Sequence, residues 1–139
     1  MKKINLLIFV ALIAITGCKK KATNTAGVDP RVPPNMTLKT GGKYTSADKT
    51  VNKQDTILIG IVCTKTEDNL TTINGSYSFD GASTTNSFYN HQCLSTEYTG
   101  FSVDVNYYVR NQTGTEKLTL SVVDRDGNIT KKIITLTVQ

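Results

Sequence analysis

The 139-residue sequence predicts an all-β domain of seven or eight short strands packed as a two-sheet sandwich. Three observations carry that expectation. From Asn35 onward, Thr, Val, Ile and Tyr recur in runs where apolar residues alternate with polar ones, the period of a strand with one covered face. Gly, Asn and Asp punctuate the runs at short intervals. All three prolines (Pro30, Pro33, Pro34) precede the runs, so none interrupts a ladder, and no apolar stripe of 3.6-residue period reaches helical length. A closed barrel shares this periodicity and remains an alternative at this level.

Taken in order, Met36 to Thr40 reads as a first edge strand ended by the Gly41-Gly42 turn, and Thr50 to Asn52 as a short second piece. Thr56 to Thr64 is the clearest central strand. Ile57, Ile59, Ile61 and Cys63 share one face, and Leu58, Gly60, Val62 and Thr64 the other. Thr71 to Phe79 follows, with Ile73, Gly75, Tyr77 and Phe79 on one side and Asp80-Gly81 as its turn. Ser83 to Tyr89 is a weaker strand, and Asn90 to Thr99 reads as loop around Cys93. Phe101 to Val109 alternates cleanly, placing Asp104, Asn106 and Tyr108 opposite Phe101, Val103, Val105 and Tyr107. Leu118, Leu120 and Val122, then Ile134, Leu136 and Val138, flank a turn at Asp124 to Asn128, where Asp126-Gly127 tolerates positive φ.

Ahead of these runs stands a different kind of text. Met1-Lys2-Lys3 is followed by an uncharged apolar stretch from Leu6 to Ile15, long enough for an export signal but short of the ~20 residues that span a bilayer. Ile15-Thr16-Gly17-Cys18 resembles the lipobox of bacterial lipoproteins. That resemblance implies removal of residues 1–17 and acylation of Cys18 with palmitate-type chains, which would tie the protein to the membrane. Residues 18–34 then form a lipid anchor and flexible tether, and residues 35–139 the folded domain.

The formal net charge of +5 is uneven. Lys2 and Lys3 belong to the leader, and Lys19-Lys20-Lys21 lies beside the anchor, suited to anionic headgroups. From Asn35 onward, ten basic and ten acidic side chains cancel, which argues against nucleic acid as a partner.

From about Leu38 to Val138 the chain resembles the immunoglobulin-like or PKD-like sandwich domains of Bacteroidetes-type lipoproteins. Gly42-Lys43-Tyr44-Thr45-Ser46, Asp55 to Ile61 and Gly114 to Asn128 carry the likeness. It implies an outer-membrane address, on the periplasmic or the outer side. It supports fold more than activity, because such sandwiches host many functions.

Candidate sites are few. With Cys18 given to lipid, Cys63 and Cys93 are left. An exported compartment permits a disulfide between them, which at their 30-residue separation would contribute roughly 3.5 kcal/mol; two buried thiols fit the spacing too, and the disulfide is the favoured reading. Asp124, Asp126 and Asn128 resemble the opening of a calcium loop, but no distal bidentate Glu follows, and a hairpin turn is the favoured reading. His91 near Cys93 suggests neither a nucleophile pair nor a recognised zinc spacing. No phosphate loop, catalytic set or cofactor motif is present. Tyr89, Tyr98 and Tyr108 are surface candidates by phase, able to stack and to hydrogen-bond a ligand. The expectation is therefore a membrane-anchored, non-enzymatic module that binds or assembles with an envelope protein. The alternative is a polysaccharide-recognition lipoprotein using those tyrosines.

Overall fold

In the computed structural model, which describes residues 32–139, Thr56–Thr64 is a strand along its whole length. The other strands, in chain order, are β1 (Asn35–Leu38), β2 (Lys49–Val51), β4 (Leu70–Phe79), β5 (Asn86–Gln92), β6 (Gly100–Tyr108), β7 (Gly114–Asp124) and β8 (Ile129–Val138), with Thr56–Thr64 as β3. The leader, Cys18 and Lys19-Lys20-Lys21 lie outside the described residues. Among the described residues no helix is long and apolar enough to cross a membrane.

The strands form two sheets, ordered β1-β3-β6 and β2-β8-β7-β4-β5. All neighbours run antiparallel except β2 and β8. The chain changes sheet between β1 and β2, β2 and β3, β3 and β4, β5 and β6, and β6 and β7, the interleaving of a Greek-key sandwich. Each sheet keeps its free edges, so the fold is an open all-β sandwich and not a barrel.

Alternation decides what lies between the sheets. Ile57, Ile59, Ile61 and Cys63 of β3 face Leu118, Leu120 and Val122 of β7 and Ile134, Leu136 and Val138 of β8 within one buried core. A bulge at Thr71 shifts the parity of β4, which is why Leu70 and Ile73 are both fully buried. A second irregularity leaves Phe88 of β5 unpaired, since Gly75 pairs with Tyr89 and Ser76 with Ser87. The Phe88 ring lies on Gly75, where a Cβ would come within 2.6 Å of its Cζ. On the outer face of the smaller sheet, Lys39 crosses Gly60 and pairs with Asp104, which also accepts a hydrogen bond from Tyr44.

The entry of the chain is pinned. Pro34 is buried, its carbonyl accepts a hydrogen bond from Thr130, and the Pro33 carbonyl accepts one from Thr66. The packing of the domain thus reaches back to the last residue assigned to the tether.

The expected Cys63–Cys93 disulfide is not formed; both thiols are free and buried. Cys63 is held by strand pairing opposite Phe101 and Met36, while Cys93, just beyond β5, is held by its N–H on the Thr71 carbonyl. Each side chain fills apolar space in the core. Burial pushes the Cys63 thiol up to about 12, with nearby Cys93 adding to the effect, so neither residue is poised as a thiolate.

Candidate functional site

The free edges of the two sheets, β5 on the larger and β6 on the smaller, lie on the same side of the sandwich. Aromatic rings close the gap between them. Phe88 packs edge-on to Tyr107 at 4.9 Å, Tyr77 meets Tyr107 at 5.6 Å and Phe79 at 5.0 Å. Further along, His91 stacks on Phe101 at 4.4 Å, and the Tyr89 ring lies roughly parallel to His91 at 6.4 Å.

At the Phe79 end this side opens into a cleft of about 430 Å³, lined by Tyr77, Phe79, Phe88, Asn106, Tyr108 and Arg110, with Ser87 and Tyr107 completing it. Beneath it lies a network of charge. Glu116 is fully buried because it shares the inward phase of Leu118 and Leu120. One carboxylate oxygen accepts the Tyr107 hydroxyl at 2.8 Å, and the other accepts the Arg110 backbone N–H at 3.0 Å. The Arg110 Nε stands 3.4 Å from Glu116, and its Nη2 donates to both oxygens of Asp80 at 2.8 and 2.7 Å. The guanidinium also lies over the Phe79 ring at 4.4 Å. Asp80 takes a left-handed backbone (φ 47°) to reach this position, and the Thr115 N–H and Arg110 hold its carboxyl below the usual range. Burial and then the Glu116 hydrogen bond drive the Tyr107 hydroxyl well above its ordinary pKa. A buried carboxylate hydrogen-bonded to a phenol and a backbone amide, and ion-paired with a guanidinium, fixes the floor of the cleft.

The neutral groups at its mouth are otherwise disposed. Among the described residues, the Asn106 amide and the hydroxyls of Tyr77 and Tyr108 have no protein hydrogen-bond partner, and Tyr108 is 73% exposed.

The sequence candidates are split by this geometry. Tyr108 stands at the cleft, on the outward phase of β6. Tyr98 follows the short 3-10 turn Ser95–Glu97 and lies beyond the opposite end of β6, roughly 26 Å away at the usual rise per residue. Tyr89 is half-buried beside His91. His91 Nε2 pairs with Glu97 Oε2 at 2.7 Å, and Glu97 is held below its usual pKa first by the Leu94 N–H and then by His91. Cys93 nearby is raised by burial, the reverse of what a nucleophile needs. Asp124 caps its own turn, accepting the N–H groups of Asp126 and Asn128 at 3.0 and 2.8 Å and the Asn128 side-chain amide at 2.9 Å. Among the described residues no group of three or more His, Cys, Asp or Glu side chains is placed to hold a metal ion.

Glu116, Arg110, Phe88 and Asn106 were not singled out from sequence. For Glu116 a signal existed: counting back by two from Leu118 puts a carboxylate on the core face.

No family model and no curated protein matches this chain. Among solved structures it is similar to a β-glucosidase from Listeria innocua in complex with glucose, at 11% identity and a TM-score of 0.47, covering 75% of this chain. This chain corresponds to 16% of that protein. It is also similar to murine CRIg (15% identity, TM-score 0.39, covering 76% of this chain and 98% of that one). A third similarity is to a chain from a structure on T cell activation by toxic shock syndrome toxin-1 (14% identity, TM-score 0.37, covering 76% and 99%). These likenesses carry no argument about function.

Proposed function

We propose that this chain is a lipid-anchored, non-enzymatic immunoglobulin-like module of a bacterial outer membrane. In this reading Cys18 carries the anchor, and the module binds its partner through the β5–β6 side of the sandwich. The observation that carries the binding surface is the cleft where both sheets meet, with Tyr108 exposed at its mouth beside unpartnered polar groups. The rigid floor of Glu116, Arg110 and Asp80 supports this by holding the lining in place without a bound ligand.

The test is photo-crosslinking in cells from a reactive residue placed at Tyr108, with exposed Lys131 on β8 as the comparison. An adduct from position 108 and none from 131 is the expected result. No adduct at 108, or equal labelling from both positions, would remove the case for this surface. The anchor is read separately: an alkyne-palmitate label should enter the chain and be lost in Cys18→Ser.

A further inference from the structure

We infer that the β5–β6 cleft is a site for a neutral oligosaccharide, an assignment that rests on the binding-module reading and narrows it to one ligand class. Three features together select that class.

Charge comes first. Arg110 is the one cation among the lining residues, and two carboxylates flank it: Asp80 takes two hydrogen bonds from Nη2, and Glu116 lies 3.4 Å from Nε, which donates no hydrogen bond. With one guanidinium against two carboxylates the cluster is formally negative, so an anionic ligand meets more repulsion than attraction there. A cationic ligand would meet a guanidinium. The site is therefore built for an uncharged molecule.

Hydrogen-bonding character comes second. The uncharged groups left over are the Asn106 amide and the phenols of Tyr77 and Tyr108. Each both donates and accepts. A ligand rich in hydroxyls, which also donate and accept, satisfies all three without a net charge on either side. The aromatic walls of Phe79, Phe88 and Tyr77 supply flat apolar surface for the C–H faces of a sugar ring. The volume of about 430 Å³ lies within the span of small-molecule sites, about 300–1,000 Å³.

Third, an extended peptide is poorly served at the border of the larger sheet. It would bind by adding a strand to the β5 edge, which needs an unbroken row of main-chain groups. The extra residue Phe88 interrupts that row beside the cleft.

The experiment titrates the full chain, extracted in detergent from its host, with cello-, malto-, manno-, laminari- and N-acetylchito-oligosaccharides. Oligogalacturonate serves as the acidic comparison. Calorimetry measures affinity, and the Asn106 side-chain amide resonance reports on the site. At least one neutral oligosaccharide should bind and shift that resonance. Tyr108→Ala and Asn106→Ala should each weaken binding about tenfold. Both residues are exposed, so circular dichroism should stay unchanged in the variants. Tyr98→Ala, beyond the far end of β6, should bind as the unsubstituted chain does. Failure of every neutral sugar at millimolar concentration, tighter binding of oligogalacturonate, or binding indifferent to Tyr108→Ala and Asn106→Ala would each overturn the assignment. A protein crosslinked from position 108, with no sugar bound, would defeat this inference while leaving the binding-module reading intact.

Discussion

Replacing Glu116 by Gln is expected to destabilise the domain by about 3 kcal/mol although no atom is removed. The carboxylate is fully buried, with one oxygen taking the Tyr107 hydroxyl and the other the Arg110 N–H. A hydrogen bond to a charged acceptor contributes about 1.5–3 kcal/mol. Gln keeps the shape but replaces one oxygen with an NH2 group, which must then face a donor. Arg110 retains Asp80, so its charge is not stranded and the loss stays at the low end of the about 3–5 kcal/mol for a broken buried pair. Urea unfolding followed by circular dichroism should show a lower midpoint at unchanged slope. Tyr107→Phe alone should cost about 1.5 kcal/mol, by leaving one oxygen without its donor. With that hydroxyl gone, the Gln amide no longer opposes it, so the double substitution should be less damaging than the sum by about 1 kcal/mol. Additivity within about 0.5 kcal/mol, or a Glu116→Gln loss below about 1 kcal/mol, would refute the network as drawn.

Gly75→Ala should cost about 2 kcal/mol, because the new Cβ would meet the Phe88 ring at 2.6 Å, and a thermal melt of Gly75→Ala combined with Phe88→Leu should recover part of the loss. Stability should fall as pH rises from about 9 towards about 12: Cys63 keeps its proton in the folded state while the unfolded chain sheds it, so ionisation favours unfolding. Cys63→Val should lessen that slope in urea midpoints compared at about pH 8 and about pH 10, the raised Cys93 thiol keeping part of it and Tyr107 acting only above about pH 10. Asp124→Ala should cost about 2 kcal/mol through the loss of three hydrogen bonds, and the melting temperature of the unsubstituted chain should be indifferent to calcium or to chelator, since the turn already occupies that carboxylate.

What could be read from the sequence follows from how local the cause is. Thr56–Thr64 was legible to the residue because both its faces carry strand formers and a turn precedes it. The β7–β8 hairpin was legible because Asp126-Gly127 sits between two alternating runs, and Gly127 takes φ 85°. β5 was misplaced, starting at Asn86 and running through His91 to Gln92, where loop was expected. Its residues are polar and uncharged, and only pairing with β4 makes them a strand. The Phe88 bulge then breaks the parity on which the phase of Tyr89 was judged. Tyr108 needed no such correction, because β6 alternates without interruption to its end. The disulfide expectation failed for a related reason. Spacing between cysteines says nothing of the strand pairings that hold Cys63 and Cys93 as separate core residues. The cleft itself was not legible, since it depends on which two strands each sheet leaves at its border.

Where the chain enters the fold also decides which way the cleft looks. Pro33 and Pro34 are fastened at the pole of the sandwich where β8 begins and β7 ends. Tyr108, Phe79 and Arg110 occupy the other pole, a strand's length of roughly 30 Å away. A tie made through the residues before Val32 would therefore leave the mouth of the cleft turned the opposite way, a full strand from that tie.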